Sequence, residues 1–97
     1  MDHPSSAVPA VTHNVAAHRF EVTVDGHLSV ADYELREGAI IFTHTYVPDA
    51  LRGRGLAAKL VQPALEYARR EKLRVVPSCS YVATYLERHP EFKALVG

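Results

Sequence analysis

The sequence of 97 residues is poor in cysteine, carries no excess charge of either sign and has no long apolar run. The single cysteine, Cys79, excludes an intramolecular disulfide and a CxxC metal motif, and it fits a reducing compartment. Eleven basic residues balance eleven acidic ones, so no overall field draws the chain to nucleic acid or to an anionic membrane. The N-terminal residues lack the pattern of a signal peptide, and no stretch approaches about 18 continuous apolar residues. We therefore predict a cytoplasmic protein with neither a nucleic-acid nor a membrane partner.

The chain has the length of one small domain. Residues 1–14 mix proline, serine, alanine and histidine without a period of 2 or 3.6, which predicts a disordered tail ahead of a domain over residues 15–97. A domain of about 80 residues buries only about 60 to 65% of its unfolded surface, so a ligand or a partner would add needed stability. The six histidines do not have the spacing of a metal site, and we predict no metal.

Alternating apolar residues predict three antiparallel strands, over residues 19–24, 27–36 and 39–47. Asp25-Gly26 between the first two predicts a type I′ turn, which needs positive φ at both residues. A break in the alternation near Ala31 and Asp32 predicts a bulge in the second strand. Apolar residues on both faces of the third strand predict a central strand covered on both sides. One of these faces is predicted to carry Ile40, Phe42, His44 and Tyr46.

A glycine-rich turn, Arg52-Gly53-Arg54-Gly55, follows the third strand and opens an amphipathic run over residues 56–72. The first backbone N–H groups of a helix have no intrahelical partner and lie at the positive end of its dipole, so the turn predicts a phosphate site. Pro63 within the run predicts a kink. A strand over residues 73–76, parallel to the third, and a helix over 81–88 complete the pattern. The predicted fold is a mixed α+β or α/β sheet, with three antiparallel strands followed by a β-α-β-α unit.

Three stretches, in order, resemble the GNAT acetyltransferases, and within them the small single-domain branch of bacteria, plants and animals. Arg52, Gly55 and Ala57 match the family's acetyl-CoA motif of Gln or Arg, two residues, Gly, one residue, then Gly or Ala. The other two stretches are His44-Thr45-Tyr46-Val47-Pro48 and Val76-Pro77-Ser78-Cys79-Ser80-Tyr81-Val82 with the later His89-Pro90-Glu91-Phe92. The resemblance implies a GNAT-like fold and transfer of the acetyl group of acetyl-CoA to an amine. Larger members place two helices between their first two strands as a wall beside the acceptor, and this chain lacks them.

The resemblance also implies roles for individual residues. Main-chain N–H groups of the turn and the helix start would hold the pyrophosphate of CoA, over Arg52, Gly53, Arg54, Gly55, Leu56 and Ala57. The backbone near Tyr46 and Val47 would polarise the thioester carbonyl, and Tyr81 and His89 would contact the cofactor. The catalytic candidates are Cys79 as nucleophile or positioning group, Tyr85 as proton donor to the leaving thiolate, and His44 as acceptor of the amine proton.

Other interpretations of the same residues stay open. Cys79 could be a buried inert thiol, Tyr85 a packing residue and His44 a satisfied core histidine. The chain could be a CoA-binding module without efficient catalysis that acts with a partner protein, or an α/β interaction domain that binds neither ligand. The acceptor could be a protein or peptide amine or a small polyamine, and a homodimer could supply the missing wall.

Overall fold

The computed structural model describes residues 10–97 as a five-stranded sheet with two α-helices on one face. The strands lie in the order of the chain, as β1 (Thr12–Asn14), β2 (Arg19–Val24), β3 (His27–Arg36), β4 (Ala39–Tyr46) and β5 (Arg74–Pro77). Helix α1 (Leu56–Arg70) connects β4 to β5, α2 (Ser80–Arg88) follows β5, and 3-10 turns occupy Asp49–Leu51 and Pro90–Leu95. Strands β1 to β4 are antiparallel and β5 is parallel to β4, which confirms the predicted mixed fold.

The turns of the two central hairpins adopt left-handed backbone at both of their residues. The angle φ is 51° at Asp25 and 77° at Gly26, and it is 50° at Glu37 and 80° at Gly38. Such angles are the requirement of a type I′ turn, whose twist matches that of the flanking strands. The predicted Asp25-Gly26 turn is therefore confirmed.

A bulge interrupts the pairing of β3 with β4, but its extra residue lies on β4. Asp32 pairs with His44 and Tyr33 pairs with Phe42, which leaves Thr43 unpaired. The irregularity predicted near Ala31 and Asp32 is therefore confirmed in its place, although the extra residue belongs to the partner strand. An extra residue reverses which face the following side chains point to. Phe42 faces the helices, whereas His44 and Tyr46 face the opposite side, so the single face predicted for these residues is wrong.

The core lies between the sheet and the helices. Helix α1 contributes one fully buried stripe, formed by Leu60, Val61, Ala64, Leu65 and Ala68. The sheet meets it with Phe20, Val22, Ala31, Tyr33, Phe42 and Val75. The helix runs through Pro63 to Arg70, and a kink there stays a prediction. No element within residues 10–97 covers the other face of the sheet, so β4 is not covered on both sides.

The N-terminal boundary of the fold lies before residue 14. Thr12–Asn14 form β1, paired with β2, so the predicted tail over residues 1–14 extended too far, and its first nine residues lie outside the described chain. The cause is His13, whose ring stacks on Phe20 at 4.1 Å and whose Nε2 shares a hydrogen bond with the Tyr33 hydroxyl at 2.6 Å. Neither helix of the described residues is long and apolar enough to span a membrane.

Candidate active site

The glycine-rich turn presents unused backbone donors at the start of α1. Gly53 and Gly55 have φ of 86° and 71°, and Gly55 is the N-cap without a side-chain hydrogen bond to the helix. The first amide bonded within the helix is that of Lys59, which donates to the carbonyl of Gly55, so the N–H groups ahead of it point out of the helix. A Cβ atom built on either glycine meets no protein atom within 4 Å, so the surface beside the turn is open.

A cavity of about 390 Å³ lies against this turn. It reaches from the end of β4, through the turn, to the first residues of both helices. Its lining residues are Thr45, Val47, Leu51, Arg52, Gly53, Gly55, Leu56, Ala57 and Tyr81. Seven of the cofactor-binding residues predicted from the sequence therefore meet in one place, joined by Thr45 and Leu51, which the sequence did not single out.

The two arginines of the turn are held by acidic neighbours. Arg52 Nε lies 3.1 Å from Asp49 Oδ1 and donates to the carbonyl of Val47 at 3.4 Å. Arg54 Nη1 lies 3.3 Å from Asp25 Oδ2 on the β2–β3 turn, so Arg54 points away from the cavity. All four charged side chains are largely exposed, and exposed ion pairs contribute only about 0 to 1 kcal/mol. Both guanidinium groups can therefore exchange these partners for a phosphate.

Strands β4 and β5 part at one end of the cavity. Their pairing stops at Phe42 and Pro77, while β4 continues to Tyr46. Beyond the last pair, the N–H of Cys79 donates to the carbonyl of Phe42 at 2.8 Å, and its Sγ lies 3.4 Å from Thr45 Oγ1. A slot thus opens between the end of β4 and the start of α2, with the thiol of Cys79 at its edge.

The environment of Cys79 favours its thiolate. Burial raises the pKa of the thiol, but hydrogen bonding from the Thr45 side chain and from the backbone N–H groups of Val82, Tyr81 and Thr45 more than offsets it, so the net pKa lies below its usual value. Cys79 is only partly buried and is the N-cap residue of α2. The thiol packs against the edge of the core and is not sealed inside it.

The two tyrosines of α2 occupy different environments. Tyr81 lines the cavity and is 36% exposed, whereas Tyr85 is 7% exposed and stacks on His89 at 3.9 Å between ring centroids. Burial raises the pKa of both hydroxyls. Each tyrosine is therefore protonated at neutral pH and able to donate. His89 contacts Tyr85 and Glu91 rather than the cavity.

His44 and Tyr46 lie apart from the cavity, on the open face of the sheet. Their rings are nearly parallel, with centroids 6.4 Å apart, and both side chains are exposed. The interpretation of His44 as a satisfied core histidine is therefore wrong. Thr45 between them faces Cys79 instead, and simple alternation along the strand would have placed it on the opposite face from Phe42. Within residues 10–97, no three His, Cys, Asp or Glu side chains converge on a site for a metal ion.

Comparison with known proteins gives one consistent match. The model of a family described as GCN5-related N-acetyl-transferase matches residues 19–95. Protein NATD1 of Homo sapiens is 33% identical over 103 residues, covering 93% of this chain and 91% of the relative, and protein NATD1 of Xenopus tropicalis is 33% identical over 90 residues, covering 90% and 82%. A solution structure of a GCN5-like protein from Staphylococcus aureus superposes with a TM-score of 0.74 at 24% identity, over 94% of this chain and 90% of that one. At this level of identity, the structural match shows that the two chains share a fold.

Proposed function

Because the chain belongs to the GCN5-related N-acetyltransferase family, we propose that it is an enzyme that transfers the acetyl group of acetyl-CoA to an amine. The family and the fold establish an acetyltransferase domain of general type. The donor, the acceptor and the residues that act on them are the content of the proposal.

One observation supports the proposal above the others. A single cavity joins the unused N–H donors at the start of α1 to the slot between the end of β4 and the start of α2. A ligand that fits this shape carries phosphate at one end and a narrow, reactive group at the other. Side chains at Gly53 or Gly55 would project into open space that such a ligand would fill. Acetyl-CoA has this form, and it supplies an activated acetyl thioester.

The proposed roles of the chain's own residues follow from these positions. The N–H groups of Arg54, Gly55, Leu56 and Ala57, with Arg52 and Gly53 beside them, bind the pyrophosphate at the positive end of α1. Backbone N–H groups at Tyr46 and Val47 stabilise negative charge that develops on the carbonyl oxygen. Tyr81 contacts the cofactor from α2, and His89 supports that helix through Tyr85.

The chemical steps are assigned to side chains of α2 and to Cys79 at its N-terminus. Tyr85 was the preferred proton donor on sequence grounds, and Tyr81 is the tyrosine on the cavity wall; phenylalanine variants of each separate the two. Cys79, with its lowered pKa, lies where it either accepts the acetyl group or fixes the thioester. Intact mass after exposure to acetyl-CoA, with Cys79→Ala as the reference, distinguishes these roles.

The second candidate function is a CoA-binding module that acts with a partner protein. It is favoured by the open face of the sheet, where no element of the described chain walls the acceptor side. An interaction domain that binds neither ligand is the third. Calorimetry with acetyl-CoA separates the third from the first two, and acceptor-dependent release of the CoA thiol separates the enzyme from the module.

A charge change at the start of α1 tests the phosphate assignment directly. Ala57→Glu places a carboxylate at the positive end of the helix, where the dipole favours it, so the fold is retained while a phosphate is repelled. We expect acetyl-CoA affinity to fall by roughly tenfold or more, since one charge contact of about 1.4 kcal/mol corresponds to that factor. Gln62→Glu, exposed further along the same helix, is the matched control. Unchanged affinity in Ala57→Glu would refute the assignment.

A further inference from the structure

The open face of the sheet carries a cluster formed by Asp32, His44 and Tyr46. The strand register places Asp32 directly beside His44, and Tyr46 follows two residues further along β4 on the same face. Between them Thr45 faces the other way, 3.4 Å from Cys79 Sγ. The cluster and the thiol are therefore separated by the thickness of a single strand, at the point where β4 has lost its partner β5.

Three carboxylates lie on this face, and two of them have a cation partner. Glu21 Oε1 lies 2.7 Å from Arg19 Nε, and Glu34 Oε1 lies 3.1 Å from Arg36 Nη2. Asp32 is partly buried and forms no ion pair with any residue of the 10–97 range. A carboxylate partly removed from water is stabilised by a cation brought to it. Arg19 lies opposite Asp32 on β2, but its Nε is paired with Glu21, so the carboxylate of Asp32 suits a positively charged ligand on its His44 side.

The aromatic members of the cluster suit the same ligand. The ring of Tyr46 is 48% exposed and lies nearly parallel to that of His44, with 13° between their planes. An ammonium group over a tyrosine ring is attracted by the negative face of the ring, and an adjacent carboxylate adds to this attraction.

We propose that Asp32, His44 and Tyr46 bind the acceptor through its protonated alkylammonium group. This inference rests on the proposed function and names the acceptor class: Asp32 is the charge partner and Tyr46 the aromatic wall. His44 stands beside the nitrogen and takes one proton from the ammonium, which leaves an uncharged amine and an imidazolium. The acceptor thus approaches from the open face, across β4 from the cavity. A lysine side chain of a peptide and a free polyamine both present this group.

The test uses two variants of β3 that remove one negative charge each. Asp32→Asn alters a carboxylate that has no ion-pair partner within residues 10–97, and Glu34→Gln, on the same strand and face, alters one already paired with Arg36. Binding of spermidine, and of a short peptide with a blocked N-terminus and one lysine, is measured by NMR titration of the protein saturated with CoA. We expect Asp32→Asn to weaken binding roughly fivefold or more and Glu34→Gln to leave it unchanged. Tyr46→Leu should weaken binding as well, and Tyr46→Phe should not.

The two probes distinguish a peptide acceptor from a small polyamine. The inference is overturned if neither probe binds the wild-type protein, or if Asp32→Asn binds as tightly as wild type. Binding that depends on Asp32 without any acetyl transfer supports this site and refutes the enzyme. Transfer with an acceptor KM unchanged in Asp32→Asn supports the enzyme and refutes this site.

Discussion

At the scale of single residues, Thr45 and Cys79 form a hydrogen-bonded pair at the edge of the candidate site. The sequence placed Cys79 just beyond the fourth strand of its pattern, but it gave no reason to single out Thr45. Their contact exists because the extra residue at Thr43 turns Thr45 toward the helices. The thiol then lies at the N-terminus of α2, where the Thr45 hydroxyl and two helix N–H groups favour the charged form over the effect of burial.

Removal of the Thr45 hydroxyl should make Cys79 less acidic. Thr45→Val keeps the shape of the side chain and removes the hydrogen bond, so the pKa of Cys79 is expected to rise. The measurement is the pH dependence of alkylation by iodoacetamide, whose midpoint should move to higher pH. Thr43→Val makes the same change on the same strand without touching Cys79 and should not move it.

Cys79→Ala extends this comparison to the reaction. Transfer should fall on the order of tenfold or more if the thiol takes part in the chemistry, with acetyl-CoA affinity nearly unchanged. Equal turnover in Cys79→Ala and wild type would assign Cys79 a packing role. A fall in affinity equal to the fall in turnover would instead make it a binding residue.

At the scale of elements, the start of α1 uses glycine for conformation and for access at once. Gly55 has φ of 71°, which a residue with a side chain adopts at a cost of about 1 to 2 kcal/mol. Because Gly55 has no Cβ atom, no side chain projects from this position into the cavity. Gly38 in the β3–β4 turn has nearly the same angle, 80°, and the same free space, but it lies away from the cavity.

These two glycines separate a conformational effect from a binding effect. Gly55→Ala and Gly38→Ala should each lower the free energy of unfolding by about 1 kcal/mol, because both positions are left-handed. Gly55→Ala alone should also weaken acetyl-CoA, because its methyl group enters the cavity. Unfolding by urea and calorimetry with acetyl-CoA check the two expectations. Equal affinity in the two variants would show that the ligand does not approach Gly55.

Local chemistry explains how much of this arrangement the sequence predicted. The hairpin turn at Asp25-Gly26, the parallel strand after α1 and the glycine turn follow from turn residues and periodicity, and they were correct. The faces of the second half of β4 were not, because the broken alternation near Asp32 marks an irregularity in the pairing but does not show that the extra residue, Thr43, lies on β4. The positions of His44 and Tyr46 depend on that one residue.

At the scale of the whole molecule, the sheet has one face closed by helices and one face open, and its first strand is fastened to the closed side. His13 packs among the rings of Phe20, Tyr33 and Tyr67, the last at 4.5 Å on α1. The sequence assigned His13 to a tail because its contacts are all non-local. A histidine in this position connects the first strand to the last turns of α1, and it does so as a neutral ring.

The stability of the fold should therefore depend on the protonation of His13. Burial, Arg70 and His18 lower the pKa of His13 below the 6.5 of an unfolded chain, so the unfolded state takes up the proton more readily. The contribution of the neutral ring is present above pH 6.5 and is lost as the pH falls through the pKa of the folded state. The pKa of Glu21 is lowered mainly by its hydrogen bond with Arg19, so Glu21 changes the stability only below about pH 4.5. This range does not overlap the pH range in which His13 titrates.

Thermal unfolding between about pH 7.5 and pH 5, on either side of the usual histidine range, checks this expectation. The midpoint should fall with pH in the wild-type protein. In His13→Phe, which keeps the stacked ring but cannot be protonated, the fall should be smaller, whereas His27→Gln, at an exposed histidine of β3, should leave it as in wild type. The same pH dependence in His13→Phe and wild type would mean that protonation of His13 has no effect on the stability of the fold. Hydrogen exchange at β1 would then locate which other contact holds the strand.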